Sequence, residues 1–235
     1  MALALGLILL ASPVLAQELS INLGGDNSLS LRSVQLLLLV TVLSIVPGLA
    51  VMVTSFPFIV TVLSILRQAI GLQQAPPNML IISLALFLTW YVMDPVFTEA
   101  WTSGIKPMTN GQMEVGPGLQ AAIAPFRSFM ALRVDPDTFL TLQDLRATPP
   151  LPPGEASLSL LIPSFLLSEI QRAFEIGFMI FLPFLIIDLV VAAILMSMGM
   201  MMVPPAVVSL PFKLVFFVVA DGWALVSGAL VRSYF

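Results

Sequence analysis

The chain has 235 residues, 59% hydrophobic and 9% charged, with nine basic against thirteen acidic side chains and a net charge of −4; soluble domains carry about 25% charged residues. Histidine and cysteine are absent, which removes the commonest general base, the nucleophilic thiol, disulfides, zinc and iron–sulfur sites, so no cofactor is expected. There is no glycine-rich phosphate loop and no Gly-x-Ser-x-Gly elbow, and the basic residues are scattered singly; the composition describes an integral membrane protein, not an enzyme and not a nucleic-acid binder.

Residues 1–16 are apolar and end in Val14-Leu15-Ala16, a small residue at the position of a cleavable secretory signal, although the basic n-region is missing. Cleavage would start the mature chain at about Gln17, outside a bacterial inner membrane. The 34 residues between Arg32 and Arg67 carry no charge, and because about 20 residues cross a bilayer they must bend. Pro47-Gly48 is the expected break, with Thr54-Ser55-Phe56-Pro57 a second distortion. The polar stretch from Arg67 to Asn78, with Gln73, Gln74, Pro76 and Pro77, turns the chain into a second apolar run, Met79 to Met93, expected to stop at Asp94-Pro95. Residues 17–93 thus form an N-terminal segment and a first helical hairpin.

Residues 94–157 read as a small extracytoplasmic region with seven acids against four bases, consistent with the positive-inside rule. Within it Leu119 to Val134 reads as an amphipathic helix. Asp135-Pro136 starts another, running to about Ala147, with Asp as N-cap and Pro at the first position. Thr148 to Gly154 is too proline-rich for helix. Residues 158–202 are expected to be helical but broken at Pro163 and Pro183, and Val207 to Arg232 returns as one helix, so 158–235 makes a second hairpin. The expected fold is all-α: two helical hairpins with about four long apolar helices kinked at proline, and the small helical region between them.

Five of the thirteen methionines lie within seven residues at the second tip, Met196, Met198, Met200, Met201 and Met202, followed by Val203-Pro204-Pro205. Methionine is unbranched and polarizable, so such side chains can close a passage and re-pack around what goes through it. Core packing is the ordinary role of a single Met in an apolar helix; this run is contiguous, includes Gly199 and ends at two prolines.

Three charges fall in apolar segments, Asp188, Lys213 and Asp221, each costly in lipid unless paired or facing a cavity. With a turn near residues 200 and 201, positions 188 and 213 face each other, so Asp188 and Lys213 can meet as a structural lock or as half of a proton relay. Asp221 faces only the region of Ile180, and is expected to bind a neighbouring subunit or line a wet path. Glu169, Arg172 and Glu175, three apart on one helix face, allow two ion pairs and read as a solvated face or a subunit contact.

The runs Leu63 to Asn78, Leu84 to Thr89, Phe181 to Asp188, Met196 to Pro205, Ser209 to Leu214 and Asp221-Gly222-Trp223 resemble the FliP family, the flagellar type III export-gate proteins, in the same order and spacing over roughly residues 50–98 and 160–233. Virulence-system homologues of the SctR type are similar over the same parts; the signal and the Gln-Gln-Ala-Pro-Pro-Asn tip fit the flagellar branch. The resemblance implies a pore-forming core subunit in the inner membrane at the flagellar basal body, passing unfolded flagellar proteins. It implies several copies assembled with FliQ and FliR into a helical funnel met by FlhB and FlhA, with hairpins lifted out of the bilayer plane. It also implies that Met198, Met200, Met201 and Met202 act as a gasket. One departure is Pro57-Phe58, where many relatives carry a basic residue. The rival reading of the residues is a proton- or ion-coupled carrier using Asp188, Lys213 and Asp221. A carrier would show an internal repeat with matching broken spans, whereas the two tips here are unlike, one Gln/Pro-rich and one Met-rich.

Overall fold

A computed structural model describes residues 28–72, 76–146 and 149–235; the expected signal (1–16) and the tip residues Gln73 and Gln74 lie outside them. Every regular element among the described residues is helical. Among the described residues, those up to Ile45 belong to one unit and those from Val46 to Phe235 to a second.

Helix α1, Ser28–Met52, runs through Pro47-Gly48 without stopping, against expectation. The break comes instead at Val53–Ser55. The reason is local chemistry: Thr54 Oγ1 donates to the Val51 carbonyl (2.6 Å) and accepts from the Phe56 N–H (3.3 Å), satisfying opened backbone groups that Pro47-Gly48 has no side chain to serve. Helix α2, Phe56–Ile70, starts with Pro57 in its first turn and ends at Gly71, whose φ of 87° is left-handed and whose N–H bonds the Gln68 carbonyl. Its apolar residues recur every three or four positions, and Phe58, Ile59, Val62, Leu63, Leu66, Ala69 and Ile70 are all buried. At 15 residues it is short for a span. It is instead the centre of the core, packed chiefly on α7, Leu158–Ser197.

The first reversal is present, closed at its neck by Arg67 donating to Asn78 Oδ1. Helix α3, Asn78–Ala100, does not stop at Asp94-Pro95 but continues into a π-turn, Trp101–Ile105, and a short α4, Lys106–Thr109. Both residues lie on the exposed side, where the proline ring costs one hydrogen bond and displaces no neighbour. Residue 94 is therefore no structural boundary. The π-turn brings Gly104 against α5, Val115–Arg133, so closely that a Cβ would sit 2.4 Å from the Ala122 nitrogen. Helix α6, Pro136–Asp144, begins as expected, with Asp135 accepting from the Thr138 N–H (2.8 Å), and ends three residues before Ala147.

Helix α7 is 40 residues long and contains both Pro163 and Pro183; neither breaks it. Pro163 leaves the Ser159 carbonyl without its helical donor, and Arg146 Nη2 supplies one at 2.9 Å. The return is two helices, α8 (Pro205–Val219) and α9 (Gly222–Arg232), bent by 61° where a single helix was expected. Asp221 at the bend adopts a left-handed conformation (φ 50°), which Asp tolerates better than most residues, and Gly222 packs so tightly on Phe217 that no side chain fits there. Three helical stretches are long and apolar enough to cross a membrane, Ser33–Met52, Asn78–Thr109 and Leu158–Ser197, and the bent pair brings the number to four. This is the expected all-α membrane protein.

Candidate functional site

The methionine loop is held open by its own backbone. Helix α7 ends at Ser197 and Gly199 is left-handed (φ 74°), with the Gly199 N–H on the Met196 carbonyl and the Met200 N–H on the Leu195 carbonyl, both at 3.0 Å. That pair of bonds is a Schellman stop, which glycine makes at no steric cost. Pro205 then opens α8 at a position whose N–H has no helical partner. Between these two devices the side chains have no core to enter. Met201 is 83% and Met202 97% exposed, and Met198 and Met200 are also exposed.

Below the loop the sequence placed Asp188 opposite Lys213, and the structure brings them together: Lys213 Nζ is 2.6 Å from Asp188 Oδ2. Counting from the tip is confirmed a turn deeper, where Phe184 and Phe217 face each other with ring centroids 6.3 Å apart. Two partners were missed. Ser209 Oγ donates to Asp188 Oδ1, and Lys213 Nζ also donates to the Ala69 carbonyl at 3.2 Å. Ser209 precedes Lys213 by four and so shares its face, a signal the spacing contained. The Ala69 contact is 144 residues away in sequence and had no signal. It places a cation on the last turn of α2, where unpaired carbonyls and the helix dipole favour one. The pair therefore ties three helices, and joins the neck of the first hairpin to the shaft of the second.

Glu169 does not lie on a solvated face or an outer contact surface. It is fully buried, 3.0 Å from Arg133 Nη2 and 3.1 Å from Arg172 Nη1, and accepts the Tyr234 hydroxyl. The expected Arg172–Glu175 pair is not formed among the described residues; exposed Glu175 accepts from Gln171 Nε2 instead (3.2 Å). Arg133 also donates to the Ser233 carbonyl (2.7 Å) and sits 4.0 Å from the centroid of the Tyr234 ring. Burial, and then the Glu169 charge, pushes the Tyr234 phenol above its ordinary pKa, so it remains a donor. Arg133 and Tyr234 were not foreseen, because separations of 36 and 65 residues leave no periodic trace.

Asp221 is exposed, at the bend between α8 and α9, and its carboxylate caps no N–H of α9. It stands eight positions from the lock and takes no part in it. Among the described residues no group of three or more acids could hold a metal ion.

The FliP family profile matches residues 39–230. The Caulobacter vibrioides flagellar biosynthetic protein FliP is 51% identical over 228 residues, covering 97% of this chain and 86% of that protein. Its namesake in Agrobacterium fabrum is 45% identical, covering 97% and 96%, and that in Bacillus subtilis is 42% identical, covering 86% and 92%. With the Met loop, the lock and the helical order all inside the matched stretch, the chain belongs to the FliP family, whose members named here are flagellar biosynthetic proteins.

Proposed function

We propose that this chain is a pore-forming core subunit of the flagellar type III export gate in the bacterial inner membrane at the basal body. Several copies assemble with FliQ and FliR, are met by FlhB and FlhA, and pass unfolded flagellar proteins, with Met198, Met200, Met201 and Met202 as the seal. The observation that carries the reading is the exposure of those four side chains on a backbone turn fixed at both ends. Apolar side chains projecting from a fixed loop are left exposed by the described residues. Converging copies would cover them. The region from 94 to 157 faces the periplasm in this reading, and the Met loop the cytoplasmic side. The rival carrier reading has less support, since Lys213 and Asp188 are bonded to each other and to a serine and a carbonyl, as a structural tie would be, and Asp221 stands outside that cluster.

Shortening Met200, Met201 and Met202 to Ala removes the apolar bulk and leaves Gly199 and Pro204-Pro205 in place, so folding should survive and the seal should not. The expected result is a raised ion conductance of the membrane, or growth inhibition, together with altered export of a flagellar substrate. A triple variant that assembles normally yet neither leaks nor changes export would reduce these methionines to packing residues.

A further inference from the structure

The loop after α7 carries a chemistry that sealing does not use. Five thioether sulfurs lie within seven residues, while elsewhere in the chain no methionine has another within four positions. Thioethers are soft, neutral donors: they suit univalent copper and silver, whereas magnesium takes carboxylates and carbonyls, and zinc takes Cys, His and carboxylates. With no histidine or cysteine anywhere in the chain, no stronger soft donor competes. Among the described residues there is also no cluster of acids to hold a hard ion.

Backbone geometry brings three of the five together. The Met200 N–H on the Leu195 carbonyl and the Gly199 N–H on the Met196 carbonyl, both at 3.0 Å, fold residues 195–200 into a ring. Met196, Met198 and Met200 alternate around it, and successive Cα atoms of the three are no more than about 8 Å apart. All three side chains are exposed, by 62%, 58% and 38%. Each carries its sulfur about 4 Å from its own Cα on freely rotating bonds, so the three can close on one ion while the backbone stays as it is. That backbone is already set, because Gly199 holds its left-handed conformation without strain, and a preorganised ring lowers the cost of binding. Met201 and Met202 lie outside the ring, at the corners of the next turn, which the Val203 N–H closes on the Met200 carbonyl at 3.4 Å.

We propose that Met196, Met198 and Met200 bind one soft univalent cation, cuprous copper, for which silver is a redox-inert stand-in. The three ligands come from a single chain, so the site goes beyond the multi-copy reading and does not depend on it. Equilibrium dialysis of the detergent-extracted full chain against silver nitrate in chloride-free buffer should saturate at about one ion per chain. An excess of zinc or magnesium should not displace it. Met196→Leu combined with Met198→Leu and Met200→Leu keeps volume and apolarity, which folding tolerates, and removes the three sulfurs. It should weaken silver binding by about tenfold or more, and the gentler Met198→Leu alone by about threefold or more. Met201→Leu with Met202→Leu should leave the affinity within about twofold of wild type. Four outcomes overturn the proposal: no saturable silver binding by the wild type, unchanged binding in either ring variant with wild-type circular dichroism, an equal loss in the Met201 and Met202 pair, or displacement by zinc. All four leave the pore reading standing, since none of them measures leakage or export.

Discussion

Lys213 is almost entirely buried, and both hydrogen-bond partners of its Nζ lie on other helices: the Asp188 carboxylate on α7 and the Ala69 carbonyl on α2. Removing one partner of such a pair strands the other, typically at about 3–5 kcal/mol; because the Asp188 side chain is 30% exposed, Lys213→Met should fall near the low end, about 3 kcal/mol. The double change Asp188→Asn with Lys213→Met should recover part of that loss, since two neutral groups with Ser209 beside them need no countercharge. Thermal unfolding of the detergent-extracted protein reads both. A double variant equal to the simple sum of the singles would show that the contact carries no coupling. Glu169 poses the opposite case: two guanidinium groups and a phenol converge on one buried carboxylate. Its cation partner on the same helix could be read from spacing, whereas Arg133 and Tyr234 are brought by the fold alone.

At the level of helices, proline was the misleading letter. Pro47, Pro95, Pro163 and Pro183 all lie inside helices, because in an apolar setting an intact helix satisfies more backbone groups than any break, and a neighbour such as Arg146 can serve the freed carbonyl. The actual stops are marked by residues that supply a bond or a left-handed turn, namely Thr54, Gly71, Gly199 and Asp221. Asp135-Pro136 was legible because cap and proline act within four residues. The Asp135 carboxyl is held below its ordinary pKa of 3.8, first by the Thr138 N–H and then by the Thr138 hydroxyl. A depressed carboxylate contributes stability above its unfolded pKa and loses it as pH falls through the folded one. Asp135→Ala should therefore lower the melting temperature at neutral pH and flatten its decline on the acid side below about pH 4; parallel acid limbs in the two proteins would contradict this. Gly104→Ala tests the π-turn. Its Cβ would meet backbone atoms of α5, Ala122 N and Gly118 O at 2.4 and 2.5 Å, which no rotamer change relieves. The expected cost is about 1–3 kcal/mol or more, read as earlier proteolysis of the segment between residues 106 and 133.

On the scale of the molecule, the second compact unit is organised around a short buried helix rather than around its longest one. Residues of α2 touch α3, α7 and α8, while the long helices present most of their apolar surface outward. Composition and run length made the membrane class, the two reversals and the Met-rich tip legible. They could not show that α2 is core, because 15 apolar residues look alike whether they face lipid or protein. Depth is equally invisible in the chain: Asp188 and Lys213 could be paired by counting from a shared tip, whereas the Ala69 carbonyl that Lys213 also reaches could not.

The unbroken course of α7 has a mechanical consequence. The Glu169 cluster grips it near one end and the Met loop hangs from the other, 29 residues away and so about 44 Å along the axis. Asp188 ties it a second time, to α2 and α8, so the free arm is only the stretch beyond that tie, about 15 Å long. Tilting that arm by about 10° about Asp188 would move the loop sideways by only roughly 3 Å, so the two ties hold the methionine side chains near one position. Pro183 falls between the two ties, where any softness that it gives the helix is held from both sides.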